Sequence, residues 1–149
     1  MEVRRYSSAA EFLAATKDFR SLDPVRTGLI TSIATSVAIG SRTYEDYFWW
    51  SVSQDNRVVG LAIRTVPYGY VFSPMNTVAA EALYSFISVE DSAAVEFAGP
   101  KVFIDYIVHL SGRSVTESEG ELIYECRNLH PAAPIGEIRS ATESDFDLI

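Results

Sequence analysis

Apolar residues recur along this chain with two periods, the 3.6 residues of a helix and the two residues of a strand. Val3 lies in a short extended stretch, and Phe12, Leu13, Thr16 and Phe19 then mark one side of a helix predicted from about Ser8 to Arg20. Ser8 with Glu11 three residues on is the capping-box signature for its start. Asp23-Pro24 predicts a second helix, because aspartate caps and proline suits the first helical position, and Gly40 predicts its stop. Val25, Leu29, Ile30, Ile33 and Val37 form its apolar face, while Thr27, Thr31, Ser32, Thr35 and Ser36 form the other. Such weak helix formers need tertiary packing to hold them.

The period then shortens. "DYFWWSVSQ" and "RVVGLAIRTV" are β-branched and aromatic runs separated by "DN", which predicts a hairpin. "GYVFSP" predicts a short strand ended by Pro74, "NTVAAEALYSFISV" a helix and "AVEFAG" another strand. Pro100 opens a last helix that runs to about Ser111, ends at Gly112 and is apolar on nearly every side, so it is expected to be largely enclosed. "GELIYECRNL" reads as a final strand with Leu122, Tyr124 and Cys126 on one buried face, and "HPAAPIG" as a linker. The order predicts an α/β (α+β) fold, a mixed and partly antiparallel sheet with helices on its faces.

Composition narrows the function classes. A chain of 149 residues is the size of one ordinary domain and can bury roughly 68–70% of its unfolded surface. The net charge of -8, with no cluster of basic residues, argues against a nucleic-acid partner and against anionic membranes. The start has no apolar run behind Arg4 and Arg5, so no secretory signal is read there and a cytoplasmic location is expected. Cys126 is the only cysteine, which excludes an intrachain disulfide. Paired with His109 it would be an isolated nucleophile lacking any oxyanion motif, and burial on a strand is the simpler reading. His109 and His130 lack the spacing of a metal pair, so no metal ligand is assigned. Among Tyr44, Tyr47, Phe48, Trp49 and Trp50, alternation puts Phe48 and Trp50 on one sheet face and Tyr47 and Trp49 on the other. One set is expected in the core and the other at a contact with a further domain first, or else with a second subunit or a substrate.

The two ends of the chain repeat one another. Glu2-Val3-Arg4 matches Glu137-Ile138-Arg139, and Ser8 to Phe12 matches Thr142 to Phe146, so a strand running into a capped helix occurs twice. The expected division is therefore a domain at 1–129, a linker at 130–136 and the truncated start of a second domain at 137–149.

The same order of elements, with "YFWW", "NRVVGLAIRT", "AGPKVFIDYIVHLSGR", "LIYE" and a closing "GEIRSATESDFDLI", resembles the GNAT family of acyl-CoA N-acyltransferases, and within it the N-terminal half of bacterial tandem GNAT proteins. The resemblance covers nearly the whole chain. It implies the GNAT-like acyl-CoA N-acyltransferase fold, acetyl-CoA as cofactor and an amine acceptor. The family cradles the coenzyme diphosphate with a loop of form [QR]-x-x-G-x-[GA] between a strand and a helix, where backbone N–H groups face the anion. At that place this chain reads Ser73-Pro74-Met75-Asn76-Thr77, without glycine and with a proline that has no N–H. Asn76 and Thr77 are the cofactor-binding candidates, with ordinary helix capping as the stronger reading.

The family's helix N-x-x-A-x-x-x-Y-x-x-x-G-F, anchored on Gly112, puts Lys101, Ile104, Val108 and Arg113 at the positions of asparagine, alanine, tyrosine and phenylalanine, so only the glycine survives. Tyr106 and His109 lie near but off the matched position, and Glu45, Asp46 and Glu96 read as surface carboxylates rather than a general base. No catalytic residue is assigned. The expectation is a degenerate, non-catalytic domain supporting a catalytic acetyltransferase domain, in cis or on another subunit, with a homodimer as a further arrangement. The alternatives are a stand-alone acetyl-CoA-dependent N-acetyltransferase with an atypical coenzyme site, and a protein-interaction module.

Overall fold

The computed structural model describes residues 1–91, 96–128, 139, 140 and 142. Its centre is a five-stranded mixed sheet with the strands in chain order: β1 (Glu2–Tyr6), β2 (Tyr47–Gln54), β3 (Arg57–Thr65), β4 (Tyr70–Phe72) and β5 (Phe97–Ala98). Helices α1 (Ala9–Ala15), α2 (Lys17–Leu22) and α3 (Gly28–Ala38) connect β1 to β2. Helix α4 (Thr77–Glu90) connects β4 to β5, the single parallel pair, and α5 (Lys101–Ser111) follows. The architecture is α+β, helices on both faces of a mixed sheet. Among the described residues no helix is long and apolar enough to cross a membrane.

Local chemistry explains much of this. Asp55 and Asn56 both take positive φ (50° and 61°), the conformation a two-residue hairpin needs, and they join β2 to β3. Ser8 Oγ accepts the Glu11 N–H at 3.2 Å, and the Glu11 carboxylate accepts back from Ser7 N (3.1 Å) and Ser7 Oγ (2.9 Å). Gly112 closes α5 in the left-handed conformation (φ 65°).

Alternation along the strands divides the core in two. Trp50, Val52, Ala62, Tyr70 and Phe72 face α4 and α5, where Leu83, Ile87, Phe103 and Ile107 are buried against them. Trp49, Leu61 and Ile63 face the first three helices through Phe12, Ile30 and Ala34. Each fully buried Leu, Ile or Phe side chain contributes about 1.5–3 kcal/mol.

Five expectations need correction. The first predicted helix is two helices, because Thr16 is buried, turns its hydroxyl back onto Phe12 O (2.7 Å) and accepts from Arg20 Nε (3.1 Å), breaking the run. Asp23 does cap, accepting Arg26 N–H at 3.0 Å, but it caps a turn; the helix begins at Gly28, after Thr27 donates to Asp23 O at 2.6 Å. Helix α5 is not enclosed: Phe103 and Ile107, four residues apart, face the core, while Val102 is 84% exposed.

Residues 120–128 form no strand. Nothing among the described residues pairs with them, and Leu122, Ile123, Tyr124 and Cys126 are all exposed, so the buried face expected for Cys126 does not exist. Finally, both tryptophans are core residues, Trp49 at 2% and Trp50 at 0% exposure, one on each sheet face, so both aromatic sets and not one contribute to the core, with Tyr47 and Phe48 half-buried. Ala94, Val95, the linker at 130–136 and most of 137–149 lie outside the described residues.

Candidate functional site

The junction between β4 and α4 is where the family resemblance would place a coenzyme diphosphate. Ser73 is fully buried; its N–H donates to Leu61 O (3.0 Å) and its Oγ accepts the Leu61 N–H (2.9 Å), which locks the end of β4 onto β3. Met75 packs on Gly60, whose missing side chain leaves the room: a Cβ there would sit 2.6 Å from Met75 Sδ. Asn76 is extended (φ −82°, ψ 165°) and its Oδ1 accepts the Ala79 N–H at 2.8 Å. Its carbonyl takes the Ala80 N–H at 3.0 Å. The Ala80 bond is the first ordinary bond of the helix, so of the four end amides, Asn76 to Ala79, the Asn76 side chain occupies that of Ala79.

Strands β4 and β5 pair at two positions, Tyr70 with Phe97 and Val71 with Ala98. Gly99 lies against the backbone of Phe72, where a Cβ would come within 3.0 Å of Phe72 O and 3.2 Å of Ile104 Cδ1. The Phe72 ring stands 5.4 Å from Phe103 and 6.4 Å from Phe97, filling the space below. The β4–α4 turn has no glycine, and Pro74 within it has no N–H to offer an anion.

The remaining candidates are dispersed. Tyr106 Oη donates to Glu81 Oε2 on α4 (3.2 Å), and desolvation, followed by the Glu81 charge and hydrogen bond, raises its pKa. His109 is exposed on the last turn of α5. Glu96 precedes β5 instead of lying within it, and its carbonyl accepts Tyr70 N–H at 2.9 Å. Glu45 and Asp46 are exposed, with Asp46 Oδ1 accepting the Tyr47 N–H at 2.7 Å. His130 lies outside the described residues. Among the described residues no group of three or more His, Cys, Asp or Glu side chains is placed to hold a metal ion.

Two features escape sequence reasoning. One is a buried ion pair on the α4 face: Arg64, 7% exposed, bonds both carboxylate oxygens of Asp91 at the end of α4, and its Nε donates to Tyr68 O at 3.1 Å. Tyr70 Oη donates to Asp91 O, and burial, then the Asp91 charge, push the Tyr70 pKa upward. The other is a pair of concavities on the opposite face. A recess of about 370 Å³ opens beside α3 between the loop of residues 42–44 and the β3–β4 turn. A wider depression of about 770 Å³ runs along the start of α1 past Arg5, Asp46 and Tyr47. Neither includes Asn76 or Thr77 in its lining. Their linings mix helix, strand and loop residues far apart in the chain, a grouping that no local period marks; only the aromatic run at 44–50 hinted at them.

Compared with known proteins, the chain matches no family model, no curated protein and no solved structure.

Proposed function

We propose that this chain is a GNAT-like domain without an acyl-CoA site, which supports a catalytic acetyltransferase domain carried in cis or on another subunit. The observation that carries this reading is the β4–α4 junction, glycine-free, capped by Asn76 and shut against β5 by Gly99. A diphosphate needs several convergent donors, and a junction that spends its amides internally supplies few. The strand and helix order on which the resemblance rests is matched by the mixed sheet and its helices as far as α5, the last strand of that order being absent among the described residues. Support for a contact comes from Leu122, Ile123 and Tyr124, three consecutive apolar side chains each at least 67% exposed, which a second domain would cover.

Calorimetric titration of the chain with acetyl-CoA tests the proposal, alongside an assay of thiol release with a panel of amines. The expected result is no saturable heat and no turnover. Micromolar affinity, or turnover abolished by Asn76→Ala or Tyr106→Phe, would instead support the stand-alone acetyltransferase.

A further inference from the structure

The recess beside α3 exists because the first helical layer stops short of the sheet edge. Helices α1 and α2 contact β1, β2 and β3, whereas Val71 of β4 is only partly buried against the helices on this face. Ile63 and Val71, direct partners in the β3–β4 ladder, therefore form an apolar floor with Leu29 and Ile33 of α3 as one wall. The opposite rim is polar: Arg42, Thr43 and Tyr44 from the loop before β2, and Thr65 and Tyr68 from the end of β3.

This rim is braced. The Tyr44 ring meets Tyr68 edge-on at 6.1 Å and Tyr47 edge-on at 6.0 Å. Tyr47 in turn stacks on the buried Trp49 and accepts the Tyr44 N–H at 3.0 Å. Tyr68 is anchored through its carbonyl by Arg64, itself held by Asp91. Geometry on which a ligand would rest is thus fixed before binding, which limits the ordering cost of association.

Charge identifies the occupant. The chain carries an excess of acid, net -8, yet Arg42, like Arg20 and Arg57, has no carboxylate partner among the described residues; its guanidinium instead sits in hydrogen-bond contact with the Tyr44 phenol at the rim of the recess. A guanidinium is a permanent cation with donors arranged for a carboxylate, and phenol and threonine hydroxyls beside it add neutral donors. A single cation above an apolar floor does not suit a diphosphate, and it repels an amine. The volume of about 370 Å³ lies at the small end of ligand pockets, enough for one ring or a short acyl chain but not for a coenzyme.

We propose that this recess binds a small organic monocarboxylate, its carboxylate on Arg42 and the Tyr44 and Tyr68 hydroxyls, its apolar body on Ile63, Val71 and Ile33. The site is separate from the β4–α4 junction and stands whether or not the supporting-domain reading holds.

The test is an NMR titration of the full chain with 3-phenylpropionate, with 3-phenylpropanol as the uncharged isostere and 3-phenylpropylamine as the cation. The acid is expected to saturate with shifts centred on the Ile63, Val71 and Ile33 methyls and the Tyr44 and Tyr68 rings. The Arg42→Met variant, altered at an exposed position that leaves the core intact, should bind roughly tenfold or more weakly, as befits a lost charge-assisted hydrogen bond. Equal binding of acid and alcohol, an unchanged affinity in Arg42→Met, shifts centred elsewhere, or no saturation at millimolar acid would each overturn the proposal.

Discussion

Removing Asp91 isolates a charge in the core. In the Asp91→Ala variant the Arg64 guanidinium keeps its bond to Tyr68 O but loses both carboxylate contacts at a position only 7% exposed. Breaking a buried pair from one side costs about 3–5 kcal/mol, because the remaining ion must be desolvated without compensation. For a domain of this size that corresponds to a fall in Tm of roughly 10–20 °C. The damage should be one-sided in a second respect. Replacing both partners, as Arg64→Met with Asp91→Leu, removes the charges together and should recover much of the loss, since the desolvation cost disappears with them. Urea unfolding followed by tryptophan fluorescence measures all three proteins, with Trp49 and Trp50 on opposite faces of the sheet reporting the whole core. A loss below about 1 kcal/mol for Asp91→Ala, the range of exposed pairs, would refute the reasoning. So would a double variant no more stable than the single one.

Four further outcomes follow from the same geometry. Asn76→Ala removes the cap on the Ala79 N–H and should cost about 1 kcal/mol by urea unfolding, while Asn76→Asp, which keeps an acceptor, should stay near wild type. Gly69→Ala would put a Cβ 2.3 Å from Glu96 O, a backbone atom that cannot yield cheaply, and should lower stability by about 1–3 kcal/mol in the same assay. The Glu11 carboxyl is held below its ordinary 4.5 by hydrogen bonds from Ser7 and then by Arg4. A depressed folded pKa stabilises above the unfolded value and the benefit fades as pH falls through the folded value, so the Glu11 NMR titration should have its midpoint below 4.5 and move up in Ser7→Ala. Leu122→Ser, at a side chain 78% exposed, should change stability by no more than about 0.5 kcal/mol; a larger loss would mean that this segment is packed after all.

What the sequence made legible is what local chemistry decides. The Asp55-Asn56 turn, the Ser8–Glu11 cap, the Asn76 cap and the Gly112 stop each need only a few neighbouring residues, and all four stand where expected. Alternation also assigned Trp49 and Trp50 to opposite faces, but it could not say that both faces are covered. Elements fixed by distant partners were less legible. The break at Thr16 depends on Arg20 wedging its guanidinium between Thr16, Thr31 and Leu13 O, a contact made only once the helices fold together. Residues 120–128 have the alternation of a strand, yet a strand is completed by a neighbour, and that segment has none among the described residues. Arg64 and Asp91 stand 27 residues apart and belong to no motif. The recess beside α3 gathers side chains from position 29 to position 71, a grouping that topology alone produces.

The most direct trial of the closed β4–α4 junction is an amide NMR titration with acetyl-CoA, followed at Asn76 to Ala80. The predicted result is no saturable shift of these amides at millimolar coenzyme, since the turn has no glycine and the Asn76 side chain already holds the Ala79 N–H. Saturable shifts centred on this turn at micromolar coenzyme would contradict it.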